Sequence, residues 1–162
     1  MKIGSISEDL NFEKRIAITP ELVKKYSSLG FEVCLIENYG FHLGINDEQF
    51  KDVGAKFLKN ESEILNSSDI IVQLGMLSDE KTSSIKENKT LIGVLNPYDN
   101  KERLENLAKK KINLFSLELL PRITRAQSMD ILSSQANLAG YKAVVESISN
   151  FEKAIPMMMT AA

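Results

Sequence analysis

The chain has 162 residues, enough for one domain that buries about two-thirds of its unfolded surface. Hydrophobic residues make up 43% and charged residues 26% of the sequence, which is ordinary for a soluble globular protein. The formal net charge of −2 gives no electrostatic reason to expect nucleic acid or an anionic membrane as a partner.

Targeting and redox signals in the sequence favour a reducing compartment. The first residues, MKIGSIS, lack the apolar core of a secretory signal. No apolar run approaches the roughly 20 residues needed to span a bilayer. Cys34, the only cysteine, excludes an internal disulfide and is predicted to be buried. We therefore expect a cytoplasmic protein that does not itself insert into a membrane.

The first half of the chain alternates short apolar runs with amphipathic segments, the pattern of an α/β fold. Thr19 is predicted to cap a helix that starts at Pro20 and ends before Gly30. Short helices are predicted at Asp47–Val53 and near Ser62–Asn66. Strands are predicted at Lys2–Ile6, Phe31–Ile36 and, more weakly, Ala55–Leu58.

The second half of the chain continues this alternation. Strands are predicted at Ile70–Leu74, Leu91–Leu95 and Ile112–Leu117, with an amphipathic helix at Lys101–Lys110. Strands that alternate with helices predict a mostly parallel sheet with helices on both faces. We therefore expect residues 1–162 to form a single three-layer, flavodoxin- or Rossmann-like α/β domain that ends in a long helix.

The segment from Pro121 to Val145, PRITRAQSMDILSSQANLAGYKAV, is the most distinctive part of the sequence. Thr124, followed three residues later by Gln127, indicates a capping box and a helix that begins near Arg125. An apolar stripe and a face of short hydrogen-bonding groups, suited to a polar ligand or partner, follow at helical spacing. The stripe comprises Met129, Leu132, Ala136, Ala139 and Ala143, and the polar face comprises Asp130, Ser134, Asn137 and Tyr141.

The whole chain, from MKIGSISEDLNFEKRIAITPELV to PMMMTAA, resembles the N-terminal region of the NAD(H)-binding alpha subunit of proton-translocating nicotinamide nucleotide transhydrogenases. The resemblance is strongest in the segment from Pro121 to Val145. It implies that Arg122, Gln127, Asp130 and Ser133 hold the nicotinamide end of NAD(H). Purely structural roles are the alternative: Gln127 as a capping partner, Asp130 as an acid at a helix N-terminus, and Arg122 as a solvated charge.

The resemblance also implies a reaction and a set of partners. The complete enzyme would pass a hydride from NADH to NADP(H) bound on another component, coupled to proton movement through a membrane-embedded component. Hydride transfer needs orientation of the two rings and exclusion of water, so no catalytic acid or base and no metal site is predicted. A homodimer, peripheral to the inner membrane through its partner subunits, is expected.

The sequence contains no G-x-G-x-x-G, the phosphate-binding turn of a Rossmann dinucleotide site. Family members would continue from PMMMTAA into a domain that carries this turn. We therefore expect this glycine-rich domain to be missing from the chain, as in a fragment, a truncated product or half of a split protein. Met157–Met159 are predicted to pack in a core or at a domain junction.

Alanine dehydrogenase, a relative with the same N-terminal fold, gives an alternative function. Arg15, in KRIAITP, matches an arginine of that enzyme. Gln73 and Asn96 stand where it has a lysine and a histidine, so deamination of an amino acid is disfavoured. Arg15 is either a ligand contact or part of a structural salt bridge. A further alternative is a non-catalytic α/β fragment or dimerisation module.

Overall fold

The computed structural model describes residues 1–153, and the predicted packing of Met157–Met159 lies outside the described residues. The chain divides into two compact units, Met1–Leu119 and Leu120–Ala162.

The first unit, whose residues are all described, is built on a parallel sheet of six strands. Their order is β3-β2-β1-β4-β5-β6, and every neighbouring pair is parallel. Ile3 in the central strand faces Val33 on one side and Ile70 on the other. The strands are β1 (Lys2–Ser5), β2 (Glu32–Ile36), β3 (Ala55–Leu58), β4 (Ile70–Val72), β5 (Thr90–Gly93) and β6 (Asn113–Ser116).

Five α-helices connect the strands of this unit: α1 (Pro20–Ser28), α2 (Asp47–Lys51), α3 (Glu61–Ser67), α4 (Asp79–Ser83) and α5 (Lys101–Lys109). The predicted limits of α1 are confirmed. The Thr19 hydroxyl accepts a hydrogen bond from the Leu22 amide, and Pro20 is the first helical residue. Gly30 follows the helix with a φ of +84°, a left-handed conformation that glycine adopts without a Cβ penalty.

The strand order defines a doubly wound sheet. The chain moves outward from β1 to β3, returns to the centre, and then moves outward again from β4 to β6. Right-handed crossovers in opposite directions place their helices on opposite faces of the sheet. Residues such as Val33, Leu35, Ile71 and Leu91 are therefore fully buried, as expected for parallel strands covered on both sides. The predicted Rossmann-like α/β fold is confirmed.

Two strands pair beyond their assigned ends, which explains why the predicted strands were longer. The Gln73 amide donates to the Ile92 carbonyl, and the Val94 amide donates to the Leu74 carbonyl. Gly93 permits this close approach, because a Cβ there would lie 2.4 Å from the Gln73 carbonyl oxygen. The sequence analysis did not predict α4 or the short 3-10 helix Phe41–Leu43.

The second unit contains a 3-10 helix (Thr124–Met129) followed by the long helix α6 (Ile131–Ser149). The predicted capping box and the helix start near Arg125 are both wrong. Ile123 precedes the 3-10 helix, and no side chain caps that end. Asp130 has an extended backbone, with φ −73° and ψ 96°, which interrupts the helical path and makes this residue the N-cap of α6.

Candidate functional site

The four residues assigned to the nicotinamide end line one open cavity in the second unit. Its volume is about 370 Å³, and its lining comprises Arg122, Gln127, Asp130 and Ser133 together with neighbouring residues of the same loop. The loop brings them together because the 3-10 turn folds Gln127 back towards the start of α6.

Asp130 and Ser133 are fixed in this cavity by the helix cap. One carboxylate oxygen of Asp130 accepts from the Leu132 and Ser133 amides, both at 3.0 Å. The other oxygen accepts from the Ser133 hydroxyl at 2.7 Å. The bond from the Ser133 hydroxyl, with the amide bonds and the nearby Arg122, holds the pKa of Asp130 below its usual range. Asp130 therefore stays ionised at neutral pH in one orientation.

Arg122 and Gln127 add complementary groups to the same cavity, and both side chains are exposed. A guanidinium supplies donors only, whereas an amide supplies both donors and an acceptor. With the Asp130 carboxylate and the Ser133 hydroxyl, the cavity can satisfy a carboxamide and sugar hydroxyls. This donor set fits the nicotinamide end of a dinucleotide.

A second cavity lies where the sheet changes winding direction. Strands β1 and β4 are neighbours, but the chain leaves their carboxyl ends in opposite directions, and ligands of doubly wound sheets bind at such points. The cavity has a volume of about 570 Å³. Segments Ser7–Asp9 and Gly75–Ser78, which follow these two strands, form much of its wall. We call it the switch-point crevice.

Gln73 is a structural residue at the carboxyl end of β4. Its carbonyl oxygen accepts from the Ser5 hydroxyl and the Ile6 amide, both at 2.9 Å. Its amino group donates to the Ile6 carbonyl and to Glu8, both at 3.2 Å. The side chain is 1% exposed. These four bonds use Gln73 to join β1 to β4, so this position supplies no acid–base group.

Tyr39 completes the hydrogen-bond network around Ser5. Its hydroxyl oxygen accepts from the Ala17 and Ile18 amides at 3.0 and 3.2 Å, and it lies 2.8 Å from the Ser5 hydroxyl. Burial raises the pKa of Tyr39 above its usual value, so the phenol remains neutral. The network fixes the start of α1 relative to the central strand.

Glu8 is a residue of the crevice that the sequence analysis did not identify. Its carboxylate accepts from the Leu74 amide at 2.6 Å and from the Gly75 amide at 3.2 Å. Burial raises the pKa of Glu8 above its usual value, although these amide bonds oppose the shift. An acidic residue soon after the first strand of a parallel sheet was the sequence signal that could have identified it.

Arg15 and Asn96 do not form a catalytic group with Gln73. The Arg15 guanidinium donates to the Glu13 carboxylate at 2.8 Å, and this contact lowers the pKa of Glu13. Asn96 is exposed, has a φ of +46°, and donates its backbone amide to the Glu118 carboxylate. The salt-bridge expectation for Arg15 is confirmed, and its contact with a ligand stays a prediction.

No helix among residues 1–153 is both long enough and apolar enough to cross a membrane. The exposed helix α6 is therefore described only as a surface element of its unit.

The fold and the two cavities define a doubly wound α/β domain of the kind that binds ligands at strand ends. Residues 4–139 match the model of the alanine dehydrogenase/PNT N-terminal domain family. The chain belongs to this family.

Comparison with known proteins narrows the resemblance. The chain is 44% identical to the first of the polypeptides that make up NAD(P) transhydrogenase subunit alpha in Rhodospirillum rubrum, over all of this chain and 44% of that protein. A crystal structure of transhydrogenase from Sinorhizobium meliloti superposes with a TM-score of 0.88 at 37% identity, over 99% of this chain and 48% of that chain. An L-alanine dehydrogenase structure, at 20% identity and a TM-score of 0.68 over 73% of this chain and 32% of that chain, shares the fold. The chain thus spans less than half the length of these relatives.

Proposed function

We propose that this chain is the N-terminal domain, residues 1–162, of the NAD(H)-side component of a proton-translocating NAD(P) transhydrogenase. The complete enzyme passes a hydride from NADH to NADP. The observation that carries this proposal is the single cavity that collects Arg122, Gln127, Asp130 and Ser133. The similarity to transhydrogenase alpha subunits along the whole chain supports it.

In this proposal the cavity holds the nicotinamide end of NAD(H), and the cofactor supplies the hydride. Gln127 and Arg122 orient the carboxamide, while Asp130 and Ser133 accept hydrogen bonds from a hydroxyl or amide of the cofactor. The cap fixes Asp130 before the ligand arrives, so less freedom is lost on binding. These residues act by positioning, and no residue of the chain serves as a catalytic acid, base or metal ligand.

The remaining parts of the enzyme lie outside this domain. The glycine-rich NAD-binding domain is expected in a further segment or chain, NADP(H) on a partner component, and the proton path in a membrane-embedded component. The assembly is expected to be a homodimer of the NAD(H)-side component, held on the cytoplasmic side of the inner membrane by its partners.

A chimera tests this function. The aligned N-terminal region of the Rhodospirillum rubrum subunit is replaced by this chain, and the product is reconstituted with the other components of that enzyme. We expect transfer of hydride from NADH to an NADP analogue. A chimera that folds and binds its partners but transfers no hydride contradicts the proposal.

A matched pair of variants isolates the cavity. Gln127→Glu replaces an amide donor by a carboxylate beside Asp130, and a misplaced reacting ring lowers hydride transfer by on the order of 100-fold. Gln49→Glu makes the same chemical change in the capping box of α2, where glutamate retains the cap, so transfer is expected to be unchanged. Equal transfer in both variants would remove Gln127 from the cofactor site.

Deamination of alanine is the disfavoured alternative. Gln73 is committed to the network between β1 and β4, and Asn96 cannot supply the acid–base chemistry of a histidine. We therefore expect no alanine-dependent formation of NADH when this chain is joined to the Rossmann half of an alanine dehydrogenase. Measurable turnover in that hybrid would favour the dehydrogenase function.

A further inference from the structure

The switch-point crevice is a concave surface that the proposed function does not use. It is built from residues of the first unit, between segments that follow β1 and β4. A concavity with apolar walls and a few converging polar groups is the usual form of a binding site. Its chemistry therefore indicates what it can bind.

The walls of the crevice carry an excess of negative charge. The charged residues in the lining are the carboxylates Glu8, Asp9, Glu13 and Glu61 and the cations Lys81 and Arg103. Lys81 pairs with Glu61 at 2.8 Å, and Arg103 pairs with Asp79 at 2.6 Å. Both cations are thus engaged by protein carboxylates. An occupant of complementary charge is a cation.

Glu8 is a pre-oriented acceptor in this crevice. The Leu74 and Gly75 amides and the Gln73 side chain donate to its carboxylate and fix its direction. An ionised carboxylate offers about four acceptor positions, so three donors leave acceptor capacity for a ligand. A charged donor that reaches Glu8 therefore meets a carboxylate that needs no reordering.

The crevice also carries apolar and aromatic surface. Met76 and Leu77 contribute to its walls, and Phe12 lines it with a side chain that is 90% exposed. An aromatic face attracts a cation, and apolar walls pack against the methylene stem of a long basic side chain. A carboxylate, an aromatic ring and apolar walls together suit a guanidinium on a flexible stem.

We propose that the switch-point crevice is a docking site for an arginine side chain that a partner protein presents next to an apolar residue. Arginine fits better than lysine, because its planar guanidinium both stacks on an aromatic ring and donates to a carboxylate in a fixed geometry. The apolar neighbour packs on Phe12. This interaction is independent of the proposed transhydrogenase function and does not involve the cavity around Asp130.

Titration of the full 162-residue chain with a capped dipeptide tests the proposal. The probe is N-acetyl-leucyl-arginine methylamide, and its matched control contains citrulline, which keeps the shape of arginine without the charge. Nuclear magnetic resonance should show saturable shifts of the Leu74 and Gly75 amides with the arginine peptide. The citrulline peptide should bind roughly tenfold more weakly, the value of one charge-assisted hydrogen bond. An equal response to both peptides, or no saturable shift with either, overturns the proposal.

A pair of exposed phenylalanines provides the control on the protein side. Phe12→Ser should weaken the arginine peptide by about threefold or more, as expected for the loss of an exposed cation–π contact. Phe41 is 70% exposed, lies in the 3-10 helix after β2 and does not line the crevice, so Phe41→Ser should leave affinity unchanged. Equal losses in the two variants contradict the proposal. Self-association of the chain that Phe12→Ser abolishes, without any peptide binding, would instead identify a second copy as the occupant.

Discussion

At the scale of single residues, the buried Tyr39 hydroxyl has the clearest energetic role. Tyr39→Phe should lower the free energy of unfolding by about 2 kcal/mol, because the Ala17 and Ile18 amides lose their acceptor inside the protein. Tyr98→Phe removes a hydroxyl from a side chain that is 88% exposed and should change stability little. Urea unfolding of both variants measures the difference. Similar values for the two would contradict the importance of the network.

Asp130 provides a second residue-scale prediction, on pH. Its pKa is lowered in the folded chain, so the cap contributes stability above the unfolded value and loses it as the pH falls through the folded value. Amide exchange at Leu132 and Ser133 should therefore become faster relative to Asp130→Asn as the pH is lowered below 3.8. Asparagine still caps a helix but does not titrate. A pH-independent ratio between the two proteins would show that the charge of Asp130 does not hold the start of α6.

At the scale of elements, two glycines should respond in opposite directions to the same substitution. Gly30→Ala should destabilise the chain by about 1 kcal/mol, because its φ of +84° is strained for any residue with a Cβ. Gly140→Ala should stabilise α6 by about 0.5–1 kcal/mol, because a Cβ there meets no atom within 4 Å and alanine favours a helix. Urea unfolding followed by circular dichroism checks both. A loss of stability in Gly140→Ala would indicate that α6 needs a bare backbone at this point.

At the scale of the whole molecule, binding of the dinucleotide should need more than this chain. The sequence has no glycine-rich turn at a helix N-terminus to hold a pyrophosphate, so the cavity around Asp130 meets only the nicotinamide end. Calorimetric titration with NADH should show no saturable binding below the millimolar range. A full-length relative measured in parallel is the positive control. Micromolar affinity of the isolated chain would show that its cofactor site lies elsewhere.

The sequence by itself determined the α/β class, most strands and the limits of α1, because these depend on local apolar periodicity and on capping residues such as Thr19, Pro20 and Gly30. It also identified the four residues that prove to line one cavity, because they are close neighbours in the chain. The capping box at Thr124 failed because two overlapping N-cap patterns compete there, and Asp130 satisfies two amides where Thr124 satisfies none.

Only the tertiary structure decided which residues meet at the ends of the strands. Glu8 and Leu74 are 66 positions apart, yet the parallel pairing of β1 with β4 brings the carboxylate of one to the amide of the other. The same pairing converts Gln73 from a candidate catalytic position into a buried structural amide. No local pattern encodes these contacts, because the order of the strands is set by how the helices and the sheet bury apolar surface together.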